Sequence, residues 1–174
     1  NQFLYITSKN IRNNYLDLTK VSYVEKSFHD TIYPRCKPEL GDILLTKDGA
    51  NTGNICLNTL DEPFSLLSSV CLLKTDRDVL LPSFLKAYIQ SPDGFKTITG
   101  KMTGMAIKRI ILKTIKNAEI PLPTILIQER IVGKLDKIYG YLQSVELKYQ
   151  QEIDALSELK KSILQKAFNG ELSD

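Results

Sequence analysis

The most constraining feature of this sequence is a long amphipathic segment that runs from about Thr124 to Phe168. Its apolar residues recur at intervals of three and four, which is the heptad pattern of a coiled-coil helix. Thr124 is a candidate N-cap, and Ile125 or Leu126 is an equally good start. The Asn-Gly pair after Phe168 supplies a stop signal. The residues predicted to face a partner helix are Ile131, Leu135, Ile138, Leu142, Val145, Tyr149, Leu156 and Ile163.

The length of this helix predicts that it packs against another helix. A helix of about forty residues is roughly 60 Å long. A small globular body cannot cover an apolar stripe along that whole length. The remaining sequence offers no second long helix, so we expect the partner helix to belong to another chain. Packing on the chain's own globular domain is the alternative.

Residues 1–122 have a different pattern, with short apolar runs and frequent turn residues. We predict an α+β, β-rich globular domain at 1–122, the long C-terminal coiled-coil helix at 123–170 and a tail at 171–174. Strands are expected at 42–46 and 54–58 as a hairpin, at 68–73, and at 118–122 as a closing strand. Helices are expected at 81–90 and 93–99. Residues 106–116 fit either a helix or a strand.

Composition favours a globular protein with an anionic partner. The chain has 174 residues and a net charge of +3. No apolar run approaches the ~20 residues of a membrane span, and no signal peptide is visible, so a cytoplasmic location is expected. Residues 96–116 contain six basic and no acidic residues. Such a block suits a polyanion such as nucleic acid, and a solvated basic face is the alternative.

Catalytic signatures are absent from the sequence. It contains no glycine-rich dinucleotide or phosphate loop and no Asn-Pro-Pro-aromatic tetrapeptide. His29 is the single histidine, which leaves a serine or cysteine nucleophile without a convincing base. We interpret His29 as a surface or turn residue and the three cysteines as reduced thiols. We therefore expect no catalytic residue, no metal site and no cofactor bound by this chain.

Two loops and one turn carry the candidate nucleic-acid contacts. Asparagine and lysine can hydrogen-bond to base edges, whereas basic and hydroxyl groups also contact phosphates. For each residue, an ordinary exposed surface position is the alternative. The candidates are Lys47, Asn51 and Thr52 in the first loop, Lys101, Thr103, Lys108 and Arg109 in the second, and Arg35 and Lys37 in the turn.

The order and spacing of several segments resemble the specificity subunits of type I restriction–modification systems. The resemblance covers most of the chain from Tyr5 onward, and no single motif carries it alone. The segments are Gly41-Asp42-Ile43-Leu44 followed by Gly49 and Gly53, Ser68-Ser69-Val70, Phe84-Leu85-Lys86-Ala87-Tyr88 with Ser91-Pro92, Ile120-Pro121-Leu122-Pro123, Gln128-Glu129-Arg130-Ile131-Val132, Leu159-Lys160-Lys161-Ser162-Ile163-Leu164 and Ala167-Phe168-Asn169-Gly170-Glu171-Leu172.

The resemblance implies a target-recognition domain at 1–122 that reads one half of a bipartite site in double-stranded DNA. It implies that the long helix is a spacer that pairs antiparallel with a like helix. It also implies a methyltransferase subunit that binds S-adenosylmethionine and flips an adenine, and a restriction–translocase subunit. S-adenosylmethionine, ATP and Mg²⁺ would bind those partners rather than this chain.

The sequence departs from the family pattern in carrying one recognition domain and one helix, where the family usually has two of each. It is therefore either a fragment or a half-subunit, and a half-subunit is expected to form a homodimer through its helix. A coiled-coil adaptor that binds proteins and no nucleic acid is the rival hypothesis. A stand-alone DNA-modifying enzyme is disfavoured because its motifs are missing.

Overall fold

The computed structural model describes residues 2–100 and 109–171. The chain divides into two compact units, residues 1–132 and residues 133–174. The strands are β1 (Gln2–Ile6), β2 (Ser22–Glu25), β3 (Ile43–Thr46), β4 (Ile55–Leu57), β5 (Ser65–Leu66) and β6 (Val70–Leu73). The α-helices are α1 (Lys26–Ile32), α2 (Pro82–Gln90), α3 (Pro92–Thr99), α4 (Leu112–Lys116) and α5 (Ile125–Phe168), and a 3₁₀ turn spans Tyr33–Arg35. The predicted α+β class with a long C-terminal helix is confirmed.

The central sheet of the first unit is built on β3. Strand β3 pairs antiparallel with β4 on one side and with β6 on the other. All four residues of β3 are buried. Ile43 and Leu45 pack into one apolar cluster, whereas Leu44 packs into a second. Both faces of the sheet are therefore covered, which explains why β3 is a continuous apolar run without alternation. The predicted hairpin is confirmed.

A second small sheet has the order β2-β1-β5. Strand β1 pairs antiparallel with β2 and parallel with β5. We predicted none of these three strands. Strand β5 has only two residues, and β2 is mostly exposed. Such short strands carry too weak a periodic signal to be recognised without their partners.

The short helices follow their local signals. Pro82 lies at the first turn of α2, and the Ser91 hydroxyl accepts a hydrogen bond from Gly94 N–H at the start of α3. Both helices were predicted. The open alternative for 106–116 is decided only in part, because residues 106–108 lie outside the described residues. Arg109 forms a β-bridge with Asp48, and helix α4 then covers Leu112–Lys116.

The predicted closing strand at 118–122 is wrong. Residues 118–124 have neither strand nor helix conformation. Proline has no N–H to give to a strand ladder, and Pro121 and Pro123 occupy two of these positions. The Pro123 carbonyl instead accepts a hydrogen bond of 2.8 Å from the Gln128 side chain. This segment is the irregular connection into α5.

The expectation that His29 is a surface or turn residue is also wrong. His29 lies in α1 and is only 4% exposed. Its ring stacks on Phe3 at a centroid distance of 3.8 Å and on Tyr33 at 4.7 Å. Its Nδ1 lies 2.9 Å from the Ser65 hydroxyl. The histidine is thus a packed core residue, and no group of three or more potential metal ligands lies together among the described residues.

The long helix α5 contains 44 residues, Ile125–Phe168. The Thr124 carbonyl accepts hydrogen bonds from the N–H groups of Ile127 and Gln128, so the helix starts as predicted. Gly170 has φ +75, and its N–H and that of the next residue donate to carbonyls in the last turn. This is a Schellman stop. No helix among the described residues combines the length and apolar character needed to cross a membrane.

Candidate nucleic-acid interface

The connection between β3 and β4, residues 47–53, is called here the hairpin loop. Gly53 N–H donates to the Thr46 carbonyl, and Thr46 N–H donates to the Asn54 carbonyl, both at 2.8 Å. Gly49 and Gly53 have φ near +100, a conformation that glycine adopts without strain. A Cβ on Gly53 would also lie 2.6 Å from the Phe95 ring. The loop is therefore held in one conformation against α3.

Two of the predicted contact residues hold this loop in place. The Asn51 side-chain amide donates to the Ser8 carbonyl at 3.2 Å. The Thr52 hydroxyl donates to the Gly49 carbonyl at 2.6 Å. Both residues are half-buried. Their side chains thus position the loop, and their contact with DNA stays a prediction.

The structure brings the loop and the basic segment together. Ile110 N–H donates to the Lys47 carbonyl at 2.8 Å. Next to it, Arg109 Nε lies 3.4 Å from Asp48 Oδ2. The Arg109 side chain is 64% exposed, so this ion pair is weak and its guanidinium can exchange partners. Lys101, Thr103 and Lys108 lie outside the described residues.

Arg35 and Lys47 line the same groove, which has a volume of about 460 Å³. Lys74 also lines it, but its ammonium lies 3.0 Å from both Glu39 and Asp42. Burial alone would lower the pKa of Lys74, but the hydrogen bonds that its ammonium donates to the two carboxylates, together with their negative charges, raise that pKa above its ordinary value. The positive charge of Lys74 is thus balanced by two carboxylates. Arg35 and Lys47 are the other cations that line the groove, and they remain candidate contacts for an anionic partner.

Lys37 is exposed and is not among the residues that line this groove. Its backbone has φ +45, an uncommon conformation for a residue with a side chain. Its N–H donates to the Tyr33 carbonyl at 2.9 Å, as the chain leaves the 3₁₀ turn. Arg35 therefore lines the groove and Lys37 does not, although only one residue stands between them in sequence.

A larger cavity of about 640 Å³ lies elsewhere in the first unit. Its walls are mainly aliphatic, and Leu73, Leu85 and Ile115 are representative. Phosphate oxygens bind cations and hydrogen-bond donors, and base edges bind hydrogen-bond donors and acceptors. This cavity is therefore not part of the candidate interface.

We assigned no role to residues 7–20 from sequence, yet they pack beside the hairpin loop. Besides the contact of Asn51 with Ser8, the Asn54 amide donates to the Ile11 carbonyl at 3.0 Å. These partners are 43 residues apart in the chain. The signal available in the sequence was the polar run Arg12-Asn13-Asn14-Tyr15, whose Asn-Asn pair is typical of a turn.

The comparisons with known proteins agree on one family. The family model described as "Type I restriction modification DNA specificity domain" matches residues 2–155. The chain is 31% identical over 163 residues to the type I restriction enzyme EcoBI specificity subunit of Escherichia coli, covering 94% of this chain and 34% of that protein. It is 24% identical over 168 residues to the EcoKI specificity subunit of Escherichia coli strain K12, covering 94% and 36%.

Solved structures share the fold. The HsdS subunit from Thermoanaerobacter tengcongensis superposes with a TM-score of 0.65 at 17% identity, covering 96% of this chain and 42% of that one. A chain from a study of assembly and conformational transition of the type I restriction–modification system gives a TM-score of 0.69 at 21% identity, covering 98% and 39%. The chain thus spans about a third of the curated relatives' length. It belongs to the family of type I restriction–modification DNA specificity domains.

Proposed function

We propose that this chain reads one half of a bipartite target in double-stranded DNA for a type I restriction–modification complex and performs no catalysis itself. The observation that carries the proposal is the family match over residues 2–155. The relatives that it resembles are named as specificity subunits. We assign recognition to the first unit and assembly to the long helix.

The surface around the hairpin loop supports recognition by the first unit. Lys47 and Arg109 lie on adjacent backbone segments joined by a β-bridge and a hydrogen bond. Glycine conformation and side-chain hydrogen bonds hold the loop in place before DNA arrives. A preformed loop loses little conformational entropy on binding. Basic groups on such a loop fix the register on the phosphates, and polar groups then reach the bases.

The exposed stripe of α5 supports an assembly role. Ile138, Leu142, Tyr149 and Leu156 are between 52% and 64% exposed. Water-exposed apolar rows of this length are typical of helices that pair with another helix. We propose that α5 pairs antiparallel with a like helix, in a homodimer, and separates two recognition units.

The chemistry would then be supplied by partner subunits. A methyltransferase subunit would bind S-adenosylmethionine and methylate a flipped adenine, since a base must leave the stack to be modified. A restriction–translocase subunit would use ATP and Mg²⁺. This chain would need no cofactor, and it would act in the cytoplasm with the cellular DNA.

Selection from random duplex DNA tests the recognition role. Fragments that the chain retains are amplified, and their sequences are determined over several rounds. Recognition of a defined site predicts enrichment of one sequence, and a homodimer predicts an interrupted palindrome. The rival adaptor hypothesis predicts no enrichment.

A charge placed on the α5 stripe tests the assembly role. Leu142→Lys puts an ammonium into the proposed helix–helix seam, and we expect the dimer measured by sedimentation to dissociate. Gln143→Lys is the matched control, because it adds the same charge next to the seam position. A monomeric unaltered chain at high concentration, or an unchanged dimer for Leu142→Lys, contradicts the role. Leu156→Lys is expected to repeat the effect.

A further inference from the structure

A short turn of residues 12–15, called here the amide turn, projects beside the hairpin loop. Ile11 and Leu16 form an antiparallel β-bridge at its base. Arg12 N–H donates to the Tyr15 carbonyl at 3.1 Å. Asn14 has φ +76, a left-handed conformation that asparagine tolerates better than most residues. The tip therefore presents Asn13, Asn14 and Tyr15, and all three are exposed.

The arms of this turn are fixed by a buried asparagine. Asn10 is 2% exposed, and its Oδ1 accepts hydrogen bonds from the N–H and hydroxyl of Thr7, both at 3.0 Å. Its Nδ2 donates to the carbonyls of Asp17 and Lys20 at 3.0 and 2.9 Å. Ile11 is fully buried beside it. A surface turn with this much internal support is preorganised for binding.

The position of the tip is set by strand β4. Asn14 N–H donates to the Ile55 carbonyl at 2.9 Å, and Ile55 N–H donates to Asn13 Oδ1 at 3.4 Å. Ile55 is the first residue of β4 after the hairpin loop. The amide turn thus lies at the end of the sheet from which the hairpin loop emerges.

Internal hydrogen bonds determine which groups the tip can offer. Asn13 Oδ1 accepts from Ile55 N–H, and Asn14 Oδ1 accepts from Lys86 Nζ at 2.8 Å. Because each oxygen has a donor as its partner, the orientation of both amides is defined. Within the part of the chain that the structure describes, neither amide nitrogen has a hydrogen-bond partner, nor does the Tyr15 hydroxyl. The tip therefore offers hydrogen-bond donors.

We propose that the amide turn reads a base in the half-site, and that its donors favour guanine. This inference rests on the proposed function. Guanine presents two neighbouring acceptors, N7 and O6, in the major groove, whereas cytosine presents an amino donor there. Tyr15 is 58% exposed and follows the two asparagines in the turn, from where its ring would cover the neighbouring base or sugar. Phosphate oxygens would accept from the same donors, and the test separates that case.

Asn13→Asp is the decisive variant. It keeps the oxygen that accepts from Ile55 N–H and replaces the donor nitrogen by an acceptor. In selections from random duplexes, we expect guanine to be lost at one position in favour of cytosine, and affinity for the original site to fall roughly tenfold. Asn117→Asp, an exposed residue after α4, controls for the added charge and should enrich the original sequence.

A second pair of variants removes an aromatic side chain without changing charge. Tyr15→Ala should lower affinity for the selected duplex and leave binding to random DNA unchanged. Tyr23→Ala is its control, because Tyr23 is 56% exposed on β2. Circular dichroism checks that the variants fold.

Each outcome decides between the two proposals. If the unaltered chain enriches no sequence, the proposed function fails, and the inference about the turn fails with it. If the unaltered chain enriches a sequence that Asn13→Asp and Tyr15→Ala leave unchanged, only the inference fails. If Asn13→Asp weakens all duplexes equally and more than Asn117→Asp does, the turn contacts phosphate, and base reading by the turn is refuted.

Discussion

The Gln128 side chain makes three hydrogen bonds at the start of α5, and its removal should destabilise the first unit. Gln128 is fully buried. Its Nε2 donates to the carbonyls of Val79 and Pro123 at 2.9 and 2.8 Å, and its Oε1 accepts from Leu81 N–H at 2.9 Å. One side chain thus ties the segment before α2, 47 to 49 residues away in the chain, to the connection that leads into α5.

The expected cost of Gln128→Ala follows from these three hydrogen bonds. A buried donor without a partner costs about 1–3 kcal/mol, and each lost hydrogen bond to a carbonyl costs about 1 kcal/mol. The alanine variant recovers up to about 2 kcal/mol because the ordering of a long side chain is no longer needed. We therefore expect the free energy of unfolding of the first unit to fall by about 2–4 kcal/mol.

Urea denaturation followed by tyrosine fluorescence and circular dichroism measures this change. Gln143→Ala is the matched control, since Gln143 is an exposed residue of the same helix. The control should shift the unfolding free energy by less than about 0.5 kcal/mol. Equal effects of the two variants would show that the hydrogen bonds of Gln128 contribute nothing to stability.

Gln128→Glu adds a pH dependence to the same test. The introduced carboxylate would face two carbonyl oxygens in a buried site, which raises its pKa in the folded state. The folded protein then binds more protons than the unfolded protein, so stability decreases with rising pH. The variant should approach the unaltered chain below the ordinary carboxyl pKa and lose stability as the pH rises through the raised pKa. A stability difference that does not change with pH would contradict this placement of the side chain.

Three further experiments test the hairpin loop, the core and the basic surface. Gly53→Ala should cost more stability than Gly49→Ala in urea denaturation, because both have φ near +100 but only at Gly53 would a Cβ lie 2.6 Å from a ring of α3; equal costs would contradict the close packing. At pH 8 a thiol reagent should label exposed Cys36 quickly and buried Cys56 and Cys71 slowly in the native protein. Burial raises the pKa of both buried thiols, that of Cys56 to about 12; rapid labelling of all three thiols would disprove a closed core. Arg109→Ala should weaken DNA binding and reduce the log–log salt slope by about 0.9, if the guanidinium contacts one phosphate; an unchanged slope would remove Arg109 from the interface.

Much of the architecture was predictable because local patterns coincide with tertiary roles. The apolar run at 43–45 is buried on both faces of the sheet, and Gly49 and Gly53 of the hairpin loop have the positive φ that their positions require. The heptads of α5 predicted its length from the sequence alone. These elements are specified by their own sequence.

The remainder depends on contacts between distant residues. The Asn51 amide donates to the carbonyl of Ser8, 43 residues away, and the sequence alone does not reveal this contact; the contact of Asn51 with DNA stays a prediction. His29 is buried because Phe3 and Tyr33 stack against it, which a polar sequence neighbourhood does not reveal. Gln128 was part of the family resemblance, yet its three backbone partners follow only from tertiary packing within the first unit. The amide turn likewise acquires its position from β4.

The most direct test of DNA recognition is a comparison of two dissociation constants at physiological salt. One duplex carries the selected sequence, and the other has three of its base pairs scrambled at the same length and composition. Each mismatched base pair costs about 1–3 kcal/mol, so the scrambled duplex should bind at least about 150-fold more weakly. Equal dissociation constants would mean that this chain does not read DNA sequence.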